Sequence, residues 1–137
     1  MPQQARELLL QSCVARTRVR LGEIGENLAA RELERRGYAV LARRYRRRGG
    51  EIDIIAADGQ TLVFIEVKTR GGDDYGSAAA AVTPLKQRRL IATARDYLSR
   101  QRLLDGPCRF DVVAVCLSGG GPEPDVEVFQ DAFQLSG

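Results

Sequence analysis

Residues 61–68 are apolar on both faces of an extended segment and yet carry an acid and an ammonium group. Leu62 and Phe64 share one face with Glu66 and Lys68, while Val63, Ile65 and Val67 share the other. A strand covered on both sides belongs to a sheet flanked by helices. Residues 50–57 have a similar character, with Asp53 set between Ile52 and Ile54, and Asp58-Gly59 joins the two segments as a tight turn. Burying an unpaired charge costs several kcal/mol. A divalent cation between Asp53 and Glu66, with Lys68 beside it, is the simplest reason for charges in such a hairpin.

The flanking chain supplies the layers. Leu21, Ile24, Gly25, Leu28, Ala29 and Leu33 recur at helical spacing from about Arg18 to Arg36, and Gly37 is a helix stop. Residues 38–46 read as a strand with a basic far end. Gly71, Gly72 and Gly76 mark residues 70–82 as a loop. Thr83-Pro84 opens a second helix, with Thr as cap and Pro in the first turn, running to about Arg100. Residues 109–117 form another apolar strand. Gly119 to Pro122 is a turn, and Val126 to Phe129 is a candidate short edge strand. The expected fold is α/β, in the order α-β-β-β-α-β with an extra C-terminal strand as an option. Residues 1–17 read as a peripheral segment and 18–137 as one domain.

The chain has no histidine, which removes Ser-His and Cys-His nucleophilic sites and His-ligated zinc. Hydrolysis would then rest on carboxylates, lysine and a hard cation, with oxygen ligands favouring magnesium or manganese. Cys13, Cys108 and Cys116 lack metal-ligand spacing, and their odd number argues against a disulfide framework. Cys108 and Cys116 read as small core residues. With no segment of membrane-spanning length, a cytoplasmic protein is expected.

Charge is uneven along the chain. Residues 103–137 hold six acids and one cation, Arg109, although the whole chain is +3. Arg43, Arg44, Arg46, Arg47 and Arg48 form a basic run with no acid between them. Such a run suits a polyanion, since the guanidinium fork matches phosphate, and a solvated basic face is the plainer alternative. Of 21 cations only Lys68 and Lys86 are lysine. A lysine kept in an apolar strand of so arginine-rich a chain stands out as more than surface charge.

Glu66 and Lys68 leave one face of their strand, and the hairpin brings Asp53 alongside. Two carboxylates and a backbone carbonyl, most simply that of Val67, give part of an octahedron for magnesium. Lys68 would orient the attacking water and hold the scissile phosphate. Glu26 shares a helix stripe with Ala29, Ala30 and Leu33 and so faces the sheet border as a third acid; its alternative is a surface ion pair with arginine. Glu51 is a weaker candidate whose alternative is an ion pair with the arginine run. Lys86 and Gln87, at the start of the second helix, could reach a phosphate. Asp111 reads as a structural ion-pair partner.

Taken in order, Gly22-x-x-Gly25-Glu26, Gly37-Tyr38, Gly50-Glu51-Ile52-Asp53, Phe64-x-Glu66-Val67-Lys68-Thr69-Arg70, Lys86 and Arg109-Phe110-Asp111 resemble the small, uncharacterised bacterial YraN family. That family is endonuclease-like, belongs to the PD-(D/E)xK or restriction-endonuclease-like superfamily, and is similar to archaeal Holliday-junction resolvases. The match covers roughly residues 18–117. The resemblance implies a restriction-endonuclease-like core, a mixed central sheet with helices on both sides. It implies Asp53, Glu66 and Lys68 as the metal and catalytic core and Glu26 as a helix-borne acid. Arg70 joins the basic residues expected to contact nucleic acid. Ile52 stands where the superfamily name has proline, and Tyr45 where this branch often has asparagine.

The expected activity is magnesium- or manganese-dependent cleavage of phosphodiester bonds in DNA, branched or single-stranded. DNA is expected ahead of RNA, and resolvase likeness raises a homodimer. The rival is a nucleic-acid-binding module with a nuclease-like fold that is non-catalytic or needs a partner.

Overall fold

Five strands form one mixed sheet, and each face of it is closed by a helix. The computed structural model describes residues 20–70, 82–117 and 124–134. Helix α1 covers residues 20–35. It is followed by β1 (Ala39–Arg47), β2 (Gly50–Asp58), β3 (Thr61–Arg70), α2 (Pro84–Arg100), β4 (Cys108–Cys116) and β5 (Asp125–Phe133). Spatial order follows chain order, β1-β2-β3-β4-β5. Only β3 and β4 run parallel, which is why the helix-containing connection lies between them. The expected α/β architecture therefore stands.

Strand alternation divides the core. On one face Ala29, Ala30 and Leu33 of α1 pack on Ile54, Val63, Ile65, Val113 and Val115. On the other, Leu90, Ala94 and Leu98 of α2 pack on Ile52, Ile55, Phe64, Phe110 and Val112. Both helices end as their residues dictate. After α1, Gly37 takes φ +96°, Tyr38 N–H donates to Leu33 O at 2.9 Å and Gly37 N–H to Glu34 O at 3.0 Å, a Schellman closure. At the start of α2, Thr83 accepts from Lys86 N–H at 3.2 Å, with Pro84 in the first turn.

Two expectations need correction. The last strand runs over nine residues, not only 126–129. A register shift between Phe110 and Val112 lets β5 continue, with Asp131 at φ +53°, until Phe133 stacks on Phe110 with ring centroids 4.7 Å apart. Cys108 and Cys116 are only half-buried, because they are the first and last residues of β4 rather than its middle. The peripheral segment 1–17, Cys13, the glycine-rich stretch 71–81 and the turn at 118–123 lie outside the described residues. No helix among the described residues is long and apolar enough to cross a membrane.

Gly25 sets how close α1 lies to the sheet. A Cβ there would collide with Thr69 of β3, whose Cβ and Cγ2 would both lie 2.8 Å away. A β-branched side chain has no rotamer that clears all of these atoms. Gly25→Ala is expected to lower stability by about 1–3 kcal/mol from overpacking, less the helix-propensity gain of up to about 1 kcal/mol. A denaturant titration measures it; an unchanged midpoint would mean that α1 slides freely over β3.

Candidate active site

The site lies where two strands part. The β2–β3 ladder runs from Asp58↔Thr61 to Ile54↔Ile65 and stops. Beyond that point β2 stays with β1 as far as Arg47↔Gly50, and β3 stays with β4 as far as Arg70↔Cys116. Asp53 and Glu66 are the next residues on the two sides of this fork. In β2 the side-chain alternation breaks here, since Ile52 packs on the α2 face and Ile54 on the α1 face. Opposite, Arg44 of β1 takes φ +54°, and the register passes from Arg43↔Ile54 to Tyr45↔Ile52 without pairing Arg44 to Asp53. The Asp53 carboxylate replaces the missing ladder bond by accepting Val67 N–H at 2.8 Å.

Asp53 borders two cavities. One, of about 240 Å³, also holds Glu51, Glu66, Lys86 and Arg89. The other, of about 630 Å³ on the α1 side, also holds Glu26, Arg44, Val67, Thr69 and Arg70. Burial, then the facing Glu66 carboxylate, push the Asp53 carboxyl up to about 7, against the Val67 N–H bond that favours its ionised form. Glu66 is 4% exposed, so its charge too is held almost out of water.

Both lysines meet Glu66. Lys86 Nζ lies 2.5 Å and Lys68 Nζ 3.7 Å from Glu66 Oε1. Burial, then the neighbouring Lys86 charge, hold the Lys68 ammonium below the usual lysine range. Burial is the largest single influence on Lys86 and opposes its charge, but the hydrogen bond to Glu66 together with the Glu66 and Asp53 charges raises it above the usual lysine range. The fork thus gathers two acids and two ammonium groups, one of them poised to give up its proton more readily.

Glu26 is buried, as its helix stripe requires, yet it also makes the arginine pairs of the alternative reading. Arg43 Nε donates to its Oε1 at 2.9 Å and Arg44 Nε to its Oε2 at 3.2 Å. It still adds to the negative field on Asp53. Among the described residues no three His, Cys, Asp or Glu side chains are gathered to hold a metal ion. Asp53 and Glu66 are the converging pair, and Val67 enters through its N–H. The donor set is oxygen alone, which suits a hard cation.

The remaining candidates divide. Lys86 reaches the fork. Gln87 does not: its Nε2 donates to Val82 O at 3.0 Å. Glu51 pairs with Arg46 at 3.1 Å, and Arg47 with Asp96 at 3.0 Å. Arg48 and Arg70 are exposed. Asp111 is fully buried and accepts from Arg109 Nε, from Asp131 N–H at 3.0 Å and from Tyr38 OH at 3.1 Å, the structural pairing expected of it. Arg88 and Arg89 of α2 were missed. The signal for Arg89 lay in the stripe Lys86, Arg89, Thr93, Asp96 and Arg100, spaced by three and four residues.

Comparison with known proteins matches residues 25–115 to a family described as "Uncharacterised protein family UPF0102". A "UPF0102 protein" of Geobacter metallireducens is 48% identical over 116 residues, 85% of this chain and 93% of the relative. One from Rhodococcus opacus is 49% identical over 113 residues, 82% of this chain and 95% of the relative. One from Symbiobacterium thermophilum is 50% identical over 118 residues, 83% and 96% of the two chains.

Proposed function

Given that this chain belongs to the UPF0102 family, the YraN-like proteins, we propose that it is a metal-dependent nuclease hydrolysing phosphodiester bonds in DNA. One observation carries the reading: Asp53 and Glu66 converge at the β2–β3 fork, and burial, then the Glu66 charge, push the Asp53 carboxyl up to about 7. A pair of carboxylates held at that energetic expense fits a cation site better than a structural one. Magnesium or manganese, held by Asp53 and Glu66, would supply Lewis acidity and a water of lowered pKa.

The chain's own residues do the rest. Val67 N–H fixes the Asp53 carboxylate in orientation. Lys68 hydrogen-bonds the attacking water and, with its lowered pKa, takes or returns a proton at Nζ. Lys86 balances Glu66 while the site is free of substrate and turns to a phosphate oxygen when DNA enters. Glu26, tied to Arg43 and Arg44, shapes the field rather than binding the ion directly. A cytoplasmic compartment and a homodimer cutting two strands are parts of the same proposal.

A rival reading as a non-catalytic, nucleic-acid-binding module draws on the internal counter-charges: Glu66 already meets two lysines and Glu26 two arginines. The deciding experiment offers linear, flap and four-way DNA to the wild type and to Lys68→Ala, with and without manganese. The nuclease reading expects manganese-dependent cutting that falls by about 10²–10³-fold in Lys68→Ala, with manganese binding retained by calorimetry. DNA binding that needs no metal, and no cutting of any substrate, would establish the module.

A further inference from the structure

A third cleft, of about 480 Å³, opens between the β1–β2 turn and α2. Five arginines border it, Arg47, Arg48, Arg88, Arg89 and Arg100, with Asp96 as the single acid. Asp96 is already saturated: it accepts from Tyr45 OH at 2.6 Å, Arg47 Nε at 3.0 Å and Arg100 Nε at 3.0 Å. Arg48, Arg88 and Arg89 are exposed and make no ion pair with any described residue. They differ in this from Arg43, Arg44 and Arg46 of β1, each of which is paired internally.

The cleft communicates with the fork. Gly49 and Arg89 border both this cleft and the smaller cavity that contains Asp53, Glu66 and Lys86. Along α2 the stripe from Lys86 to Arg100 extends over about 21 Å. The cleft therefore sets exposed guanidinium groups beside the two acids, and their forks, unpaired among the described residues, suit anionic oxygens.

We infer that this cleft binds the phosphodiester backbone of the strand leading into the Asp53–Glu66 fork. The inference rests on the nuclease reading for what lies at the fork, but the cleft's own chemistry asks only for consecutive phosphates. Backbone contacts position a strand without reading its sequence. The cleft's aromatic neighbour fits that role: Tyr45 is half-buried, its hydroxyl is held by Asp96 and its ring is covered by Arg47 at 4.4 Å. Among the described residues lining the cleft no aromatic ring is open to stack on a base, so the contacts it offers are to backbone phosphates.

The test is anisotropy of fluorescein-labelled single-stranded and duplex DNA over a range of sodium chloride in EDTA, where no cutting occurs. Arg48→Ala/Arg88→Ala is the informative variant, since neither residue borders the fork cavity and both are exposed; circular dichroism checks its fold. It is expected to weaken binding at least about tenfold at low salt and to reduce the slope of log K against log salt by about 2. Arg48→Lys/Arg88→Lys should restore most of the slope. An unaltered slope in the alanine variant, or a wild type that binds neither oligonucleotide, overturns the inference. If the wild type cuts DNA but the slope does not move, the cleft assignment fails and the nuclease reading survives. If the slope falls but nothing is cut in manganese, the cleft stands and the nuclease reading fails.

Discussion

Asp53→Asn is expected to abolish manganese binding, to lower DNA cleavage on the order of 10⁴-fold, and at the same time to stabilise the metal-free protein at pH 8. The last effect follows from the carboxyl's environment. Its pKa is about 7 in the fold, above the 3.8 of a free aspartate, because burial and the Glu66 charge disfavour ionisation. The folded chain therefore binds more protons than the unfolded chain across this window, and stability falls as pH rises from about 4 to about 7. An asparagine in the same position avoids that loss while keeping an oxygen to accept Val67 N–H. In EDTA the variant should melt above the wild type at pH 8, by a margin that closes as pH drops toward 4. Adding manganese should reverse the order, because only the wild type gains binding energy on folding. A variant that melts below the wild type at pH 8 in EDTA would show that the Asp53 charge is compensated rather than strained, and the cation site would lose its main support.

Asp111→Ala is expected to have the largest effect on folding, about 3–5 kcal/mol, or roughly 10–20 °C in Tm. Asp111 is fully buried and joins three elements: Arg109 on its own strand β4, Tyr38 after α1, and the bulged backbone of β5 at Asp131. Removing it leaves the half-buried Arg109 with Asp58, at 2.8 Å, as its one acidic partner among the described residues, beside its bond to Tyr38 OH, and takes away the acceptor for Asp131 N–H. This network lies at the turn end of the β2–β3 hairpin, beside Asp58, whereas the fork is at the other end. The folded variant should therefore retain manganese binding and, below its melting point, cutting at near wild-type rate. A loss of metal binding in still-folded Asp111→Ala would assign Asp111 to the site rather than to the scaffold. The two substitutions thus pull in opposite directions: one buried acid strains the fold, and the other holds it together.

That contrast was partly legible along the chain. Asp111 follows Arg109 by two residues in a strand, so the two side chains leave the same face, and their pairing is a local matter. The same period-two rule put Glu66 and Lys68 together on the face of Phe64, and their neighbours confirm that face. The α1 stripe, the Thr83 cap and the apolar β3 were likewise readable, because each depends on residues within one turn or one strand. Phe133, by contrast, belongs to a strand that continues only because β4 offers Phe110 to stack on, and its segment alone does not announce it.

The succession of helices and strands along the chain, the two-sided burial of β3 and the embedded acids were all contained in local pattern and composition. Where the ladder ends was not. Whether Asp53 meets Glu66 depends on β2 following β1 while β3 follows β4, a divergence of partners remote in sequence. The basic run shows the same limit. Its five arginines looked alike, but folding neutralised Arg43 and Arg44 on Glu26 and Arg47 on Asp96, while leaving Arg48 without an ion pair among the described residues, beside Arg88 and Arg89. Periodicity records which face a side chain leaves; only packing decides which opposite charge it meets there, since coulombic pairing acts through space over a few ångströms and takes no account of separation along the chain.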